Sequence, residues 1–261
     1  MGINEQARPF YIEGKHAAIL FIHGFTASPS EVLPTARLIA EARGVAVRGI
    51  LLPGHGASPE ELNRFGWEDW FEAVKDACLS LLRDFESVYV AGLSMGGMLS
   101  LLAGVRIPNI KGIVSINAPI FVEDFFKVRL AARLKYWRSS WPKADIDYEL
   151  KQQGRFAYDC YPLKALANML KLRKIVMKEL PAMKLPVLVF QSLQDETVLP
   201  HSARYIEEAC RNSRVQRIDL SHSRHVATMG PEIDKIAENI IAFVNRWEKG
   251  ARDDGYKATI D

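Results

Sequence analysis

Between Val88 and Gly97 the chain reads Val88-Tyr-Val-Ala-Gly92-Leu-Ser94-Met-Gly96-Gly97, a β-branched run that passes into a helix-forming one through a G-x-S-x-G turn. No other stretch limits the fold as much. A chain of this length would contain the bare pattern by chance about 0.06 times. Here it also lies between a strand and a helix. A sharp strand-to-helix turn forces the serine into a strained backbone conformation that only small neighbours at Gly92 and Gly96 accommodate, and it leaves the hydroxyl exposed. The helix starting at Met95 points free N–H groups and its dipole at negative charge forming near that serine. The competing reading is a glycine-rich turn that only packs a helix on a sheet.

The segment Ser87–Val105 carries no charged residue and is nominally long enough to cross a bilayer. Its four glycines and the change from β-branched residues to helix formers instead read as buried strand, turn and buried helix. Elsewhere short apolar runs alternate with amphipathic stretches, which implies an α/β fold with a mostly parallel central sheet flanked by helices. Strands are expected at Ala17–Ile22, Ala46–Leu51, Val88–Ala91, Ile113–Ile116, Val187–Gln191 and Val215–Leu220. Helices are expected at Ser30–Ala42, Trp67–Phe85, Met95–Val105, His201–Ala209 and Ile233–Trp247.

The exception is residues 120–183, basic, aromatic-rich and helical in character with no convincing strand. This segment reads as a helical cap inserted before the Asp-bearing strand of a core made of 1–119 and 184–250. Phe125, Phe126, Leu130, Leu134 and Trp137 are expected to pack the cap on the core, some of them lining an apolar pocket. Beyond Trp247 the apolar periodicity stops, and 251–261 is expected to be a flexible tail.

A serine hydroxyl needs a neighbouring base to take its proton. Among six histidines, His16 reads as surface, His23 and His55 (in Pro53-Gly54-His55-Gly56) as loop-stabilising, and His201 as the start of a helix. His222 and His225 remain, both in the loop after the last strand, where parallel sheets place reactive groups. Spacing does not separate them. An imidazolium needs a carboxylate partner. Asp195, at the C-terminal end of Val187–Gln191, is the best candidate, with Glu196 as its rival. The order Ser, Asp, His suits this fold class. For an oxyanion hole the donors are the backbone N–H groups of Phe25, in Phe21-Ile-His23-Gly24-Phe25-Thr26, and Met95.

With these residues assembled, the chain resembles bacterial carboxylesterases of the monoacylglycerol-lipase-like group in the α/β-hydrolase superfamily. The resemblance runs through His23-Gly24-Phe25-Thr26, Gly54-His55-Gly56, Pro59-Glu60-Glu61-Leu62, Asp69-Trp70, Gly92–Gly97, Asp195 with Val198 and Pro200, and His225-Val226 with Thr228. It implies that the histidine before Val-x-Thr, His225, is the catalytic one, with Ser94 as nucleophile and Asp195 as its partner. It also supports Phe25 and Met95 as oxyanion donors. The implied activity is hydrolysis of short to medium acyl esters. A monoacylglycerol lipase is the alternative, and a non-catalytic ligand-binding protein is the alternative of another class.

No metal or cofactor is expected, and the partner is a small-molecule ester. The net charge of +3, from 34 basic and 31 acidic residues, gives no footprint for nucleic acid. No integral membrane span is expected. Three widely spaced cysteines, Cys78, Cys160 and Cys210, fit reduced thiols. The charged start, Glu5 to Lys15, does not resemble a secretory leader. A cytoplasmic location is expected.

Overall fold

The structure, a computed structural model, describes residues 2–143 and 147–256. In chain order its strands and helices are β1 (Phe10–Ile12), β2 (Ala17–Ile22), α1 (Leu33–Arg43), β3 (Ala46–Ile50), α2 (Pro59–Leu62), α3 (Trp67–Asp84), β4 (Ser87–Leu93), α4 (Met95–Arg106) and β5 (Gly112–Ile116). There follow α5 (Phe125–Arg133), β6 (Ser140–Pro142), α6 (Tyr148–Gln152), β7 (Cys160–Pro162), α7 (Leu163–Glu179), β8 (Val187–Ser192), α8 (His201–Ala209), β9 (Val215–Leu220) and α9 (Ile233–Tyr256).

Seven strands form one sheet in the order β1-β3-β2-β4-β5-β8-β9. All neighbours run parallel except β1, which pairs antiparallel with β3. Parallel strands are covered on both faces, so their residues are apolar in both parities. In β2 all six residues are buried. Ala18, Leu20 and Ile22 face the layer containing Trp70, Val74, Met98 and Leu102, whereas Ala17, Ile19 and Phe21 face Ile39, Ile236 and Ile240. Thus α3 and α4 cover one face and α1 and α9 the other. Because β2, β3, β4, β5, β8 and β9 run parallel, their C-terminal ends lie at the same edge of the sheet, where the loops carrying Phe25, Ser94, Asp195 and His225 emerge.

The six expected strands are present, with ends shifted by a few residues, while β1 was not anticipated. Three residues are too few to show a pattern, and β1 exists through its pairing with β3. The first expected helix begins later, at Leu33, because Pro29–Glu31 forms a 3-10 turn closed by the Ser28 side chain on the Ser30 N–H. The last helix runs past Trp247 to Tyr256. Of the tail expected at 251–261, residues 257–261 lie outside the described residues, and 251–256 continue the helix, since each added residue gains a backbone bond once a helix is nucleated.

Residues 120–183 depart from a purely helical reading. They contain the ribbon β6–β7, paired antiparallel through Ser140↔Pro162 and Pro142↔Cys160. Nor do Phe126, Leu130 and Trp137 pack inward. They are exposed, because α5 turns its Val128, Ala131 and Ala132 side onto Leu163 and Leu166 of α7. Among the described residues no helix is long and apolar enough to cross a membrane.

Candidate active site

Ser94 sits between β4 and α4 with φ 56° and ψ −118°, a conformation that non-glycine residues adopt at a cost. The flanking glycines make it possible. A Cβ on Gly92 would lie 2.1 Å from the Gly96 carbonyl oxygen, and one on Gly96 would lie 2.2 Å from that of Ile22. The turn is thus pressed against β2 with no room for a side chain. The Ser94 N–H is tied to the Ile116 carbonyl at the end of β5, 2.8 Å away.

The His225 ring lies over this hydroxyl, with Nε2 3.0 Å from Ser94 Oγ. Its other nitrogen, Nδ1, is 2.8 Å from Asp195 Oδ2. The Asp195 side chain is fully enclosed, and its second oxygen accepts the Thr197 and Val198 N–H groups, both at 2.8 Å. Burial alone would push the His225 pKa down. The Asp195 charge and hydrogen bond, helped by Glu196 and Glu31, outweigh burial and hold it above the usual 6.5. Ser94, Asp195 and His225 are therefore brought together in hydrogen-bond sequence. Glu196 stands aside, accepting the His225 backbone N–H at 3.4 Å and facing Arg224. His222 is exposed and takes part through its backbone N–H, which donates to Glu232.

Phe25 follows the C-terminal end of β2, and Met95 is the first residue of α4. The N–H of a first helical residue has no acceptor within its helix. Among the described residues neither the Phe25 nor the Met95 N–H donates to a backbone or side-chain acceptor. His23 and His55 are buried behind this turn. His23 Nδ1 donates to the Gly24 carbonyl at 2.8 Å, and its Nε2 accepts the Leu52 N–H at 3.1 Å. That pattern requires the neutral ring, and burial lowers its pKa accordingly. The His55 ring packs edge-on to His23, Phe25 and Trp70. Burial, then His23, pushes its pKa well down. His201 starts α8 and lies against Phe121.

Three supporting residues escape sequence reading. Glu31 is 1% exposed. It accepts the Gly24 N–H at 2.6 Å and the Arg155 guanidinium at 3.0 Å, while its carbonyl accepts the Thr228 hydroxyl. Asn117, at the end of β5, accepts the Ser192 N–H at 2.7 Å and donates to the His225 carbonyl at 2.8 Å. It thereby links the Asp-bearing strand to the histidine loop. Glu232 receives the N–H groups of Ser221 and His222 and the Ser223 hydroxyl. Asn117 offered only a polar residue just past a strand, and Glu31 and Glu232 only single carboxylates next to a helix, signals too common to single any of them out. Among the described residues no cluster of three His, Cys, Asp or Glu side chains could hold a metal ion.

Residues 19–232 match the alpha/beta hydrolase family. The chain is 30% identical over 240 residues to the thermostable monoacylglycerol lipase of Bacillus sp. strain H-257, covering 91% of this chain and 94% of that protein. It is 29% identical over 240 residues to the carboxylesterase of Bacillus subtilis strain 168, covering 92% of this chain and 96% of that one. Among solved structures, one reported with LipS and LipT, two metagenome-derived lipolytic enzymes, superposes with a TM-score of 0.86 at 29% identity, covering 94% of this chain and 100% of the other. The strained serine turn at the C-terminal edge of a parallel sheet and the family match over most of the chain agree, and the chain belongs to the alpha/beta hydrolase family.

Proposed function

We propose that the protein is a serine carboxylesterase that hydrolyses carboxylic esters with short to medium acyl chains through an acyl-enzyme. One observation carries the reading: the Ser94 hydroxyl lies 3.0 Å from an imidazole whose far nitrogen is held by an enclosed carboxylate. The names of the Bacillus relatives, a carboxylesterase and a monoacylglycerol lipase, support ester hydrolysis as the reaction.

Ser94 Oγ attacks the ester carbonyl carbon while His225 Nε2 takes its proton, and Asp195 stabilises the resulting imidazolium and fixes its tautomer. The Phe25 and Met95 N–H groups receive the charge that builds on the carbonyl oxygen, each worth about 10²–10³ in rate. The tetrahedral species collapses, the C–O bond breaks, and His225 returns its proton to the departing alcohol. Water then attacks the acyl-enzyme and gives a proton to His225, which passes it back to Ser94 as the acid leaves. No step calls on a metal or cofactor. Residues 1–119 and 184–250 act as the core that carries these groups, and 120–183 as a cap that roofs the site. The free thiols Cys78, Cys160 and Cys210 suit the reducing cytoplasm.

The test is mass spectrometry after fluorophosphonate treatment, with p-nitrophenyl butyrate hydrolysis followed in parallel. The expected result is one adduct on Ser94, with adduct and hydrolysis both lost in Ser94→Ala. No adduct on folded native protein would favour a non-catalytic ligand-binding role. A second reading, monoacylglycerol lipase, is favoured by the Bacillus relative of that name. A substrate series from short p-nitrophenyl esters to monoacylglycerols separates the two, and a sharp optimum at monoacylglycerols selects the second.

A further inference from the structure

Helix α5 divides its residues between two faces. Val128, Ala131 and Ala132 turn inward, in one apolar cluster with Leu163, Leu166 and Phe25. The opposite face carries Phe126, Arg129, Leu130 and Arg133, which share one shallow depression. Their spacing of three and four residues puts all four on a single stripe. Phe126 is 78% exposed, and just beyond the helix Tyr136 and Trp137 are 80% and 87% exposed. Isolated exposed apolar residues are ordinary, whereas several grouped on one outward surface mark an interaction site.

Charge identifies the partner. Residues 125–143 hold six of the chain's 34 basic residues and none of its 31 acidic ones. Among the described residues Lys127 is paired with Asp124 at 2.6 Å, and no ion pair engages Arg129, Arg133, Lys135 or Arg138. Arg129 and Arg133, one turn apart, repel each other unless an anion lies between them. Lys135 and Arg138 lie over the rings of Tyr136 and Trp141, 5.0 and 5.1 Å from the centroids. Aromatic rings and long-stemmed cations with their polar ends outward suit the boundary between water and lipid.

We propose that the outer face of α5, with the adjoining Tyr136–Trp137 turn, docks the protein on a lipid bilayer surface bearing anionic phospholipid headgroups. Phe126, Leu130 and Trp137 enter the boundary between headgroups and acyl chains, and Arg129, Arg133 and Arg138 meet the phosphates. The chain's total charge conceals this surface, because elsewhere acidic residues slightly outnumber basic ones. A nucleic acid would take the cations and leave Phe126 and Leu130 without a partner. Docking stands apart from the esterase reading. If that reading holds, docking also brings the roof over Phe25 to a surface where amphiphilic esters collect.

The experiment is co-sedimentation of the full chain with vesicles of phosphatidylcholine alone and of phosphatidylcholine with phosphatidylglycerol in equal parts. Binding is expected to the mixed vesicles only, and to be lost in about 0.5 M salt, where screening shortens to a few ångströms. Since each basic residue near such a surface contributes about fivefold, the double variant Arg129→Glu, Arg133→Glu weakens partitioning by at least about 20-fold. Phe126→Ser with Trp137→Ser weakens it by at least about tenfold. Thermal melting checks that the variants remain folded whether or not the protein proves to be an esterase. Equal binding to both vesicle types, no binding to either, or mixed-vesicle binding that survives in both variants overturns the proposal. So does a dimer that Phe126→Ser dissociates, or salt-sensitive binding of an oligonucleotide in place of vesicles.

Discussion

The Gly24 backbone N–H donates to Glu31 Oε1 across 2.6 Å, so the turn leading to Phe25 is held by a buried carboxylate seven residues further along the chain. That carboxylate also pairs with Arg155, from the 120–183 segment. Its neighbourhood is strongly polarised. Lys143 donates to Thr26 Oγ1 at 2.8 Å, and enclosure, then the Arg155 charge, pushes its pKa down to about 8.

Glu31→Ala leaves an enclosed guanidinium and a buried N–H without their acceptor, and removing one partner of a buried pair costs about 3–5 kcal/mol. Urea denaturation is expected to show a loss of about that size. Glu31→Gln, which keeps an acceptor for Gly24, is expected to lose less and to retain more of the wild-type kcat. Equal losses in both variants would show that the charge, and not the hydrogen bond to Gly24, is what the turn needs.

In the proposed mechanism the pH profile of ester hydrolysis follows from His225. With the neutral ring as base, the rate rises as the imidazolium loses its proton, and the Asp195 charge favours the protonated form. The acid limb of kcat/KM is expected to have its midpoint above 6.5. Asp195→Asn removes that charge. The limb then moves to lower pH, while kcat falls by about 10³–10⁴ as tautomer control is lost. A limb that stays in place in Asp195→Asn would detach the titration from this pair.

Space at the serine turn is absolute. Gly96→Ala sets a methyl group 2.2 Å from a backbone oxygen of β2, and neither partner can retreat without breaking the sheet. We expect destabilisation of at least about 3 kcal/mol, at the upper end of what overpacking produces. Thermal melting of Gly96→Ala beside Ser94→Ala separates this steric effect from loss of the hydroxyl.

Glu232 makes acid stability a further test. Burial pushes its pKa up, but hydrogen bonds from His222, Ser223 and Lys235, with the Lys235 charge, bring it down to about 2. A depressed carboxylate contributes stability above its unfolded value, and that contribution fades as pH falls through the folded one. Glu232→Gln is therefore expected to cost on the order of 2–3 kcal/mol near neutrality. The gap from wild type should narrow between about pH 4.5 and 2. Melting curves across that range measure it, and a gap independent of pH would place the effect in packing.

Much of the fold was legible because its signals are local. Strands β2, β4, β5 and β8 are apolar in both parities, as only strands covered on two faces are. Strand β1 was not legible, since three residues hold no period, and β6–β7 was not, since its pairing joins segments about twenty residues apart. The inward face of α5 was misjudged for a related reason. Its large residues, Phe126 and Leu130, suggested a core, yet the small ones, Ala131 and Ala132, fit the close approach to α7.

At the site the same division holds. Local sterics made the turn at Ser94 legible, because Gly92 and Gly96 have no room for a side chain and let the backbone turn where it does. The sequence also placed two histidines and two carboxylates in the right loops. It could not say which ring would reach Ser94. That depends on how far β8 extends beside β5 and β9 beside β8, and on Asn117 and Glu232 holding the His225 loop. Nor could it connect Glu31 to Arg155, 124 residues apart. Local backbone sterics and periodicity act over a few residues and can be read along the chain, whereas the meeting of loops depends on sheet order and register, which exist only once the chain has folded.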